Sequence, residues 1–316
     1  MAGLPIDVAD RRAPPSPTRR PIQESLAFSD DSPPAIANVC QQTRRAIERL
    51  RPPVKAHGGK YYLAREIIPI LLGVRERITE YLEPYAFGAS VFLAMPRFDR
   101  EILGDINPDV CALWTVLGNE CLAAALTDHL SRLPYNEAIF DGARAPSDGT
   151  LLDRALRFLV TCRFSRGGLG KNFAWSDRMR GGRPGDENAW DTFRSHELPR
   201  IIARARGVTV TAEPCWWTVW ESRDKIHRLI YADPTYVART RSARFAYRPF
   251  EMTLLQHFWL VAALRAHSGP ATISGYRCDE YDRWLRDWRR FDFDMPNNAG
   301  QTRRKQRRTE SLWINW

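Results

Sequence analysis

Leu229-Ile230-Tyr231-Ala232-Asp233-Pro234-Thr235-Tyr236 is the stretch on which the reading of the fold turns. Four consecutive apolar or aromatic residues suit a strand buried on both faces, and the turn after them sets a carboxylate at the strand's carboxyl end. Working outward, the same short apolar pattern predicts strands at Ile78–Glu83, Glu101–Leu103, Val208–Ala212 and Ala271–Ser274. Helical patterns lie before or between them. Gly58-Gly59 opens a run in which Leu63, Ile67 and Leu71 repeat every four residues, and further helices are expected over Asp109–Leu117, Glu197–Arg206 and Glu251–His267. Strands alternating with helices predict an α/β fold, a mostly parallel sheet with helices on both faces.

Length and charge set the frame around that sheet. A chain of 316 residues has the size of two modest domains, and 44% hydrophobic with 27% charged residues is enough to bury a core. The net charge of +10 favours a polyanion as partner, nucleic acid before a membrane surface. The longest apolar runs, Ile67–Leu72 and Phe258–Leu264, fall far short of the roughly 20 residues that span a bilayer. Met1–Arg12 has no apolar centre and does not read as a signal peptide. Six cysteines without a Cys-x-x-Cys pair read as buried free thiols of a cytoplasmic protein, and no metal site is expected.

Two segments break the alternation. Nine of the 22 prolines lie in the first 53 residues, so residues 1–52 read as a basic, Pro-rich, disordered arm with a short helix near Thr43–Leu50. Residues 131–194 read as a mainly helical insert. After a helix at Leu151–Cys162 it carries Arg163, Arg166, Lys171, Arg178, Arg180 and Arg183 around Phe164, Phe173 and Trp175. The sheet domain is then residues 53–130 and 195–316. Trp216, Trp217 and Trp220, at helical spacing, read as packing, and the basic run Arg303–Arg308 fits either a phosphate contact or a solvated loop.

The Asp233 turn has the parts needed to grip a planar ring bearing an amine. Such an amine is a poor nucleophile because its lone pair is delocalised into the ring. If the Asp233 carboxylate and the Pro234 carbonyl accept its two N–H bonds, the nitrogen is drawn toward tetrahedral geometry, while Tyr236 stacks on the ring. A plain strand-to-turn junction fits the same residues. Glu83-Pro84-Tyr85-Ala86-Phe87-Gly88-Ala89-Ser90 follows the first strand, where backbone N–H groups can meet a cofactor's polar tail. Asp105 comes 22 residues after Glu83, near the roughly 20-residue offset at which a carboxylate reaches ribose hydroxyls.

Val54-Lys55-Ala56-His57-Gly58-Gly59-Lys60, the Glu83–Ser90 loop, Gly104-Asp105-Ile106-Asn107 and Tyr231–Tyr236 occur in the order of the Dam-like DNA adenine methyltransferases. Ile273-Ser274-Gly275-Tyr276 and Arg308-Thr309-Glu310-Ser311-Leu312-Trp313 resemble the phage and bacterial branch of that family. The resemblance implies a Rossmann-like enzyme that transfers a methyl group from S-adenosylmethionine to the exocyclic amine of an adenine flipped out of double-stranded DNA, without a metal. By the same analogy Ala56, Lys60, Glu83, Tyr85, Gly88, Asp105 and Asp233 face the cofactor, and Asp233, Pro234 and Tyr236 hold the base. The insert becomes the target-recognition domain, its six basic residues meeting DNA, and a cognate restriction enzyme becomes a conceivable partner.

Four positions differ from the family pattern. Phe87 stands where the family carries Gly, and its ring is expected to fill part of the methionine pocket; Ala89 also replaces a frequent Gly. Ala56 replaces a Trp, and Thr235 the second proline of Asp-Pro-Pro-Tyr. Two other readings use the same residues. One is a DNA-binding remnant whose pocket Phe87 closes; the other is a methyltransferase acting on RNA or a protein amide.

Overall fold

Neighbouring residues of one strand feed two separate cores. In the computed structural model, which describes residues 47, 49–54, 59–176, 178–180, 182–241, 249–296 and 307–316, Tyr81, Leu103 and Tyr231 lie in one buried cluster. Leu82, Ile102 and Ile230, adjacent to them in sequence, lie in the other. Successive strand residues face opposite ways, so the sheet is covered on both sides and its central strands are apolar throughout.

The chain runs through α1 (Ala64–Leu72), β1 (Glu80–Glu83), α2 (Ser90–Ala94), β2 (Arg100–Gly104), α3 (Pro108–Gly118) and α4 (Glu120–Ser131). It continues with α5 (Glu137–Arg144), α6 (Leu151–Phe164), β3 (Met179–Arg180), β4 (Arg183–Pro184), α7 (Gly185–Thr192), α8 (Leu198–Ala205) and β5 (Thr209–Thr211). Then come α9 (Cys215–Glu221), β6 (Arg228–Ala232), α10 (Leu254–Ala266), β7 (Ala271–Tyr276), α11 (Asp279–Trp284), β8 (Arg289–Pro296) and β9 (Arg307–Ile314). Every strand expected from the apolar pattern is present within two residues. β8 has no counterpart among those expectations: it alternates aromatic and charged residues, as suits a sheet edge.

Seven strands form one sheet in the order β5-β2-β1-β6-β7-β9-β8. The first five pair in parallel, and β9 runs antiparallel to both β7 and β8. From β1 the chain moves to one side, to β2 and β5, and later returns on the other as β6 and β7. This reversal opens a crevice at the carboxyl ends of β1 and β6. The loop after Glu83 and the turn after Ala232 meet there.

The insert packs onto this domain. Ala155, Leu159 and Phe164 of α6 belong to the same buried cluster as Trp114 and Leu117 of α3. β3 and β4 form a small antiparallel hairpin, with Arg180 opposite Arg183. Most of the arm, including most of the helix expected near Thr43–Leu50, lies outside the described residues; Arg49 and Leu50 are not helical. The end of the arm is anchored, with Ile47 and Val54 buried. Cys111, Cys162, Cys215 and Cys278 are buried as expected, but Cys121 is exposed. No single helix among the described residues is long and apolar enough to cross a membrane.

One ion pair ties α8 to the sheet. Both terminal guanidinium nitrogens of Arg204, Nη1 and Nη2, donate to the Glu101 carboxylate at 2.7 Å, and the guanidinium lies 3.9 Å from the centre of the Phe92 ring. Both side chains are buried. Glu101→Ala would strand the buried cation, and chemical denaturation should register a loss of about 3–5 kcal/mol. A loss under about 1 kcal/mol would mean that the pair behaves as a surface contact.

Candidate active site

Asp233 stands just past the end of β6, and two donors converge on it through three hydrogen bonds. Lys60 sits in the turn that opens α1, where its carbonyl accepts the N–H groups of Leu63 and Ala64. Its side chain runs into the crevice, and Nζ donates to Asp233 Oδ1 at 2.8 Å and to Oδ2 at 3.0 Å. Ser274 of β7 donates to Oδ1 at 3.0 Å. A carboxylate oxygen accepts about two hydrogen bonds. Oδ1 is therefore saturated, while Oδ2 retains room for one further donor.

Tyr236 completes the cluster. Its hydroxyl accepts from Lys60 Nζ at 2.5 Å and donates to Glu310 of β9. Glu310 also lies 3.7 Å from Nζ, so the buried ammonium sits between two carboxylates. Burial, and after it the charge of Glu310, holds the Tyr236 phenol well above its ordinary range and keeps it a donor.

The loop after β1 forms the facing wall. Glu83 Oε2 accepts from the Tyr81 hydroxyl at 2.8 Å and from the Phe92 N–H at 2.9 Å. Burial pushes the Glu83 carboxyl up to about 8. Asp105 accepts from the N–H groups of Phe87 at 3.0 Å and Asn107 at 2.9 Å, while Asn107 caps α3. Burial raises Asp105 only to about 6, since those backbone donors favour its ionised form. Burial thus favours the protonated form more strongly at Glu83 than at Asp105.

Phe87 and Ala89 have φ of +33° and +45°, the backbone region that glycine adopts at least cost. The Phe87 carbonyl accepts from the Trp114 indole at 2.8 Å, and its ring meets Phe158 of α6 edge-on, centroids 6.1 Å apart. The ring forms part of the wall of an open cavity of about 350 Å³, within the size range of small-molecule sites. Phe87 does not close it.

Lys60, Glu83, Tyr85, Gly88 and Asp105 line this cavity, and Asp233, Pro234 and Tyr236 line it too. Ala56 lies outside the described residues. Sequence reasoning assigns no role to Ser274 or Glu310, although both lie in motifs with a recognisable pattern. Nor does it foresee the insert's share of the wall, from Phe158, Thr161 and Leu169.

The six basic residues of the insert do not act alike. Arg166, Lys171, Arg178 and Arg183 are exposed. Arg166 and Lys171 flank a polar cleft with Glu137 and Asp141, and Arg183 pairs with Asp191 at 2.5 Å. Arg180 lies in β3. Arg163 differs: it donates to the carbonyls of Pro53 at 2.7 Å and Pro52 at 3.3 Å, pairs with Glu197, and lies 3.5 Å from the centre of the Phe193 ring. Its guanidinium is engaged inside the protein, because position 163 continues the buried stripe of Ala155 and Leu159 along α6. Burial lowers its pKa to about 10. Arg303–Lys305 lie outside the described residues.

A Rossmann-like sheet with acids at its switch point is the arrangement found in α/β enzymes of the nucleotide-cofactor class. Within that class, residues 57–164 match the D12 class N6 adenine-specific DNA methyltransferase family. The DNA adenine methylases of two strains of Vibrio cholerae serotype O1 are each 29% identical to the chain over 206 residues, which is 63% of this chain and 70% of the relative. Over these residues the chain is similar to the Dam-like adenine methyltransferases.

The buried acids give the fold a pH dependence. Glu83 and Asp105 have folded-state pKa values raised above their unfolded ones, so the folded chain binds more protons in between. The part of the stability that these two acids contribute should therefore fall as pH rises from about 5 to 8. Glu83→Gln keeps an oxygen for Tyr81 and Phe92 but cannot ionise, and denaturant titrations across that range should show a flatter decline. An equally steep decline would mean that Glu83 ionises freely.

Proposed function

We propose that the chain methylates the exocyclic amine of an adenine turned out of duplex DNA, with S-adenosylmethionine as donor. The observation that carries this reading is the one open acceptor position on Asp233, at the edge of a cavity of about 350 Å³ at the sheet's switch point. The residues present suit that donor. Asp105 has used two acceptor positions of about four, leaving capacity for ribose hydroxyls, and the carboxylates around the cavity suit a cation. Lys60, Glu83, Tyr85, Gly88 and Asp105 would hold it. When bound, it supplies an electrophilic methyl group.

The remaining work belongs to the chain's own side chains. Asp233 Oδ2 accepts one amine N–H and the Pro234 carbonyl the other, so the nitrogen's lone pair is turned out of conjugation with the ring. Tyr236 supplies a face for stacking, held in orientation by Lys60 and Glu310. Extruding the adenine costs a few kcal/mol, which contacts in this pocket offset. Residues 131–194 serve as the target-recognition domain on a catalytic domain of residues 53–130 and 195–316. Arg166, Lys171, Arg178 and Arg183 meet DNA, with Arg180 beside them on the hairpin, whereas Arg163 holds the insert in place. A DNA substrate sets the site of action in the cytoplasm.

Asp233→Ala should lower transfer of labelled methyl from S-adenosylmethionine to duplex DNA by about 100- to 1,000-fold or more, with circular dichroism unchanged. Transfer at the wild-type rate would remove Asp233 from the chemistry. Parallel reactions on RNA and protein test the substrate; methylation of either in preference to duplex DNA overturns the reading. Neutralising Arg166, Lys171, Arg178 and Arg183 should reduce the salt slope of DNA binding by about one for each phosphate left without its cation. An unaltered slope would take the insert out of the interface.

A further inference from the structure

Glu310 is far from the Asp233 turn in sequence and close to it in space. It faces Tyr276 across the β7–β9 pairing, and two residues further along β9 Leu312 faces Ser274. Residues two apart on a strand share a face. Leu312 belongs to the first buried cluster, so Glu310 projects to the same side. On that side Ser274 donates to Asp233 and Glu310 accepts from Tyr236. Among Ser311, Leu312, Trp313 and Ile314, all buried, this carboxylate is the one acidic group and is only 12% exposed.

Its contacts form a chain with one direction. Lys60 donates to the Tyr236 oxygen, so the phenol's own proton must leave by another path, and Glu310 accepts it. The O–H is thereby fixed about the C–O bond, and the ring is pinned at its oxygen. Glu310 also draws the Lys60 ammonium from the far side at 3.7 Å. An ammonium facing Asp233 alone would settle fully onto that carboxylate and compete for the position an amine N–H needs.

We propose that Glu310 is a positioning residue for methyl transfer: through the Tyr236 hydroxyl and the Lys60 ammonium it keeps Tyr236 set for stacking and one acceptor position of Asp233 open to the amine. The inference rests on the adenine-methylation reading above. It predicts a loss in the chemical step rather than in binding.

Steady-state methylation of duplex DNA tests this with Glu310→Ala, Glu310→Gln and Tyr236→Phe. Glu310→Ala should lower kcat by about 10- to 100-fold, with KM for S-adenosylmethionine within about 3-fold of wild type. Glu310→Gln has the same shape and retains an acceptor for the phenol without the charge, so its kcat should fall between wild type and Glu310→Ala. When Tyr236 is already Phe the link is cut, and adding Glu310→Ala should cost much less than it does alone. Wild-type kcat in Glu310→Gln, or losses that multiply fully in the double variant, would overturn the positioning role even if the melting temperature drops. An active wild type with unaffected Glu310 variants removes this inference alone. A wild type that transfers no methyl group to DNA removes the functional reading, and this inference with it.

Discussion

The architecture of the crevice depends on one buried cation. Lys60 is 4% exposed, and an ammonium taken out of water is stable only when its charge is matched and its donors are used. The match comes from Asp233, 173 residues along the chain, and from Glu310 on the last strand. Asp233 arrives because β6 lies beside β1, and Glu310 because β9 runs back against β7. The antiparallel end of the sheet therefore does more than cover an edge. It delivers the second carboxylate, so sheet order and charge balance constrain each other.

The parallel strands are legible in the sequence because strands buried on both faces must be continuously apolar, and Leu229–Ala232 or Ala271–Ser274 can hardly be read otherwise. β8 is obscure for the converse reason: Arg290, Phe291, Asp292 and Phe293 alternate, and one face of the strand is not core. Within the site, Asp105 and Asp233 are legible as carboxylates at strand ends, and Lys60 only through the motif that resembles the family's. Glu310 is not, since its meaning lies in a pairing that local sequence does not encode. Arg163 misleads through composition. It lies among exposed arginines, yet its four-residue spacing from Leu159 puts it on the buried stripe, and helical period outweighs charge in setting exposure.

The loop after β1 shows how a turn that favours glycine is held without one. Left-handed backbone at a residue with a side chain costs on the order of 1 kcal/mol or more, and both Phe87 and Ala89 adopt it. The contacts that offset this cost come from both flanks. Asp105 takes the Phe87 N–H, the Trp114 indole supplies a proton to the Phe87 carbonyl, and the Gly104 carbonyl takes the Ala86 N–H at 2.8 Å. Gly104 itself is held small by close approach, since a Cβ there would lie 3.2 Å from Pro84 Cα. The loop's shape is thus imposed by β2 and α3, and the phenyl ring gains a role as wall.

That wall joins residues 131–194 to the candidate site. Phe158 and Thr161 of α6 face the cavity, and Arg163, two residues beyond Thr161, grips the carbonyls of Pro52 and Pro53 on the segment that leads toward Lys60. The Leu169 turn just past α6 lines the same cavity, while Arg166 and Lys171 on either side of it are exposed. One helix therefore touches the cavity, the approach to the buried lysine and the basic loop. With side chains packed at the density of a protein interior, a shift of α6 under load from the basic loop must be felt at the cavity wall and at Pro52 and Pro53. Holding the basic loop and one wall of the cavity on one rigid element is a physical means of keeping them in register.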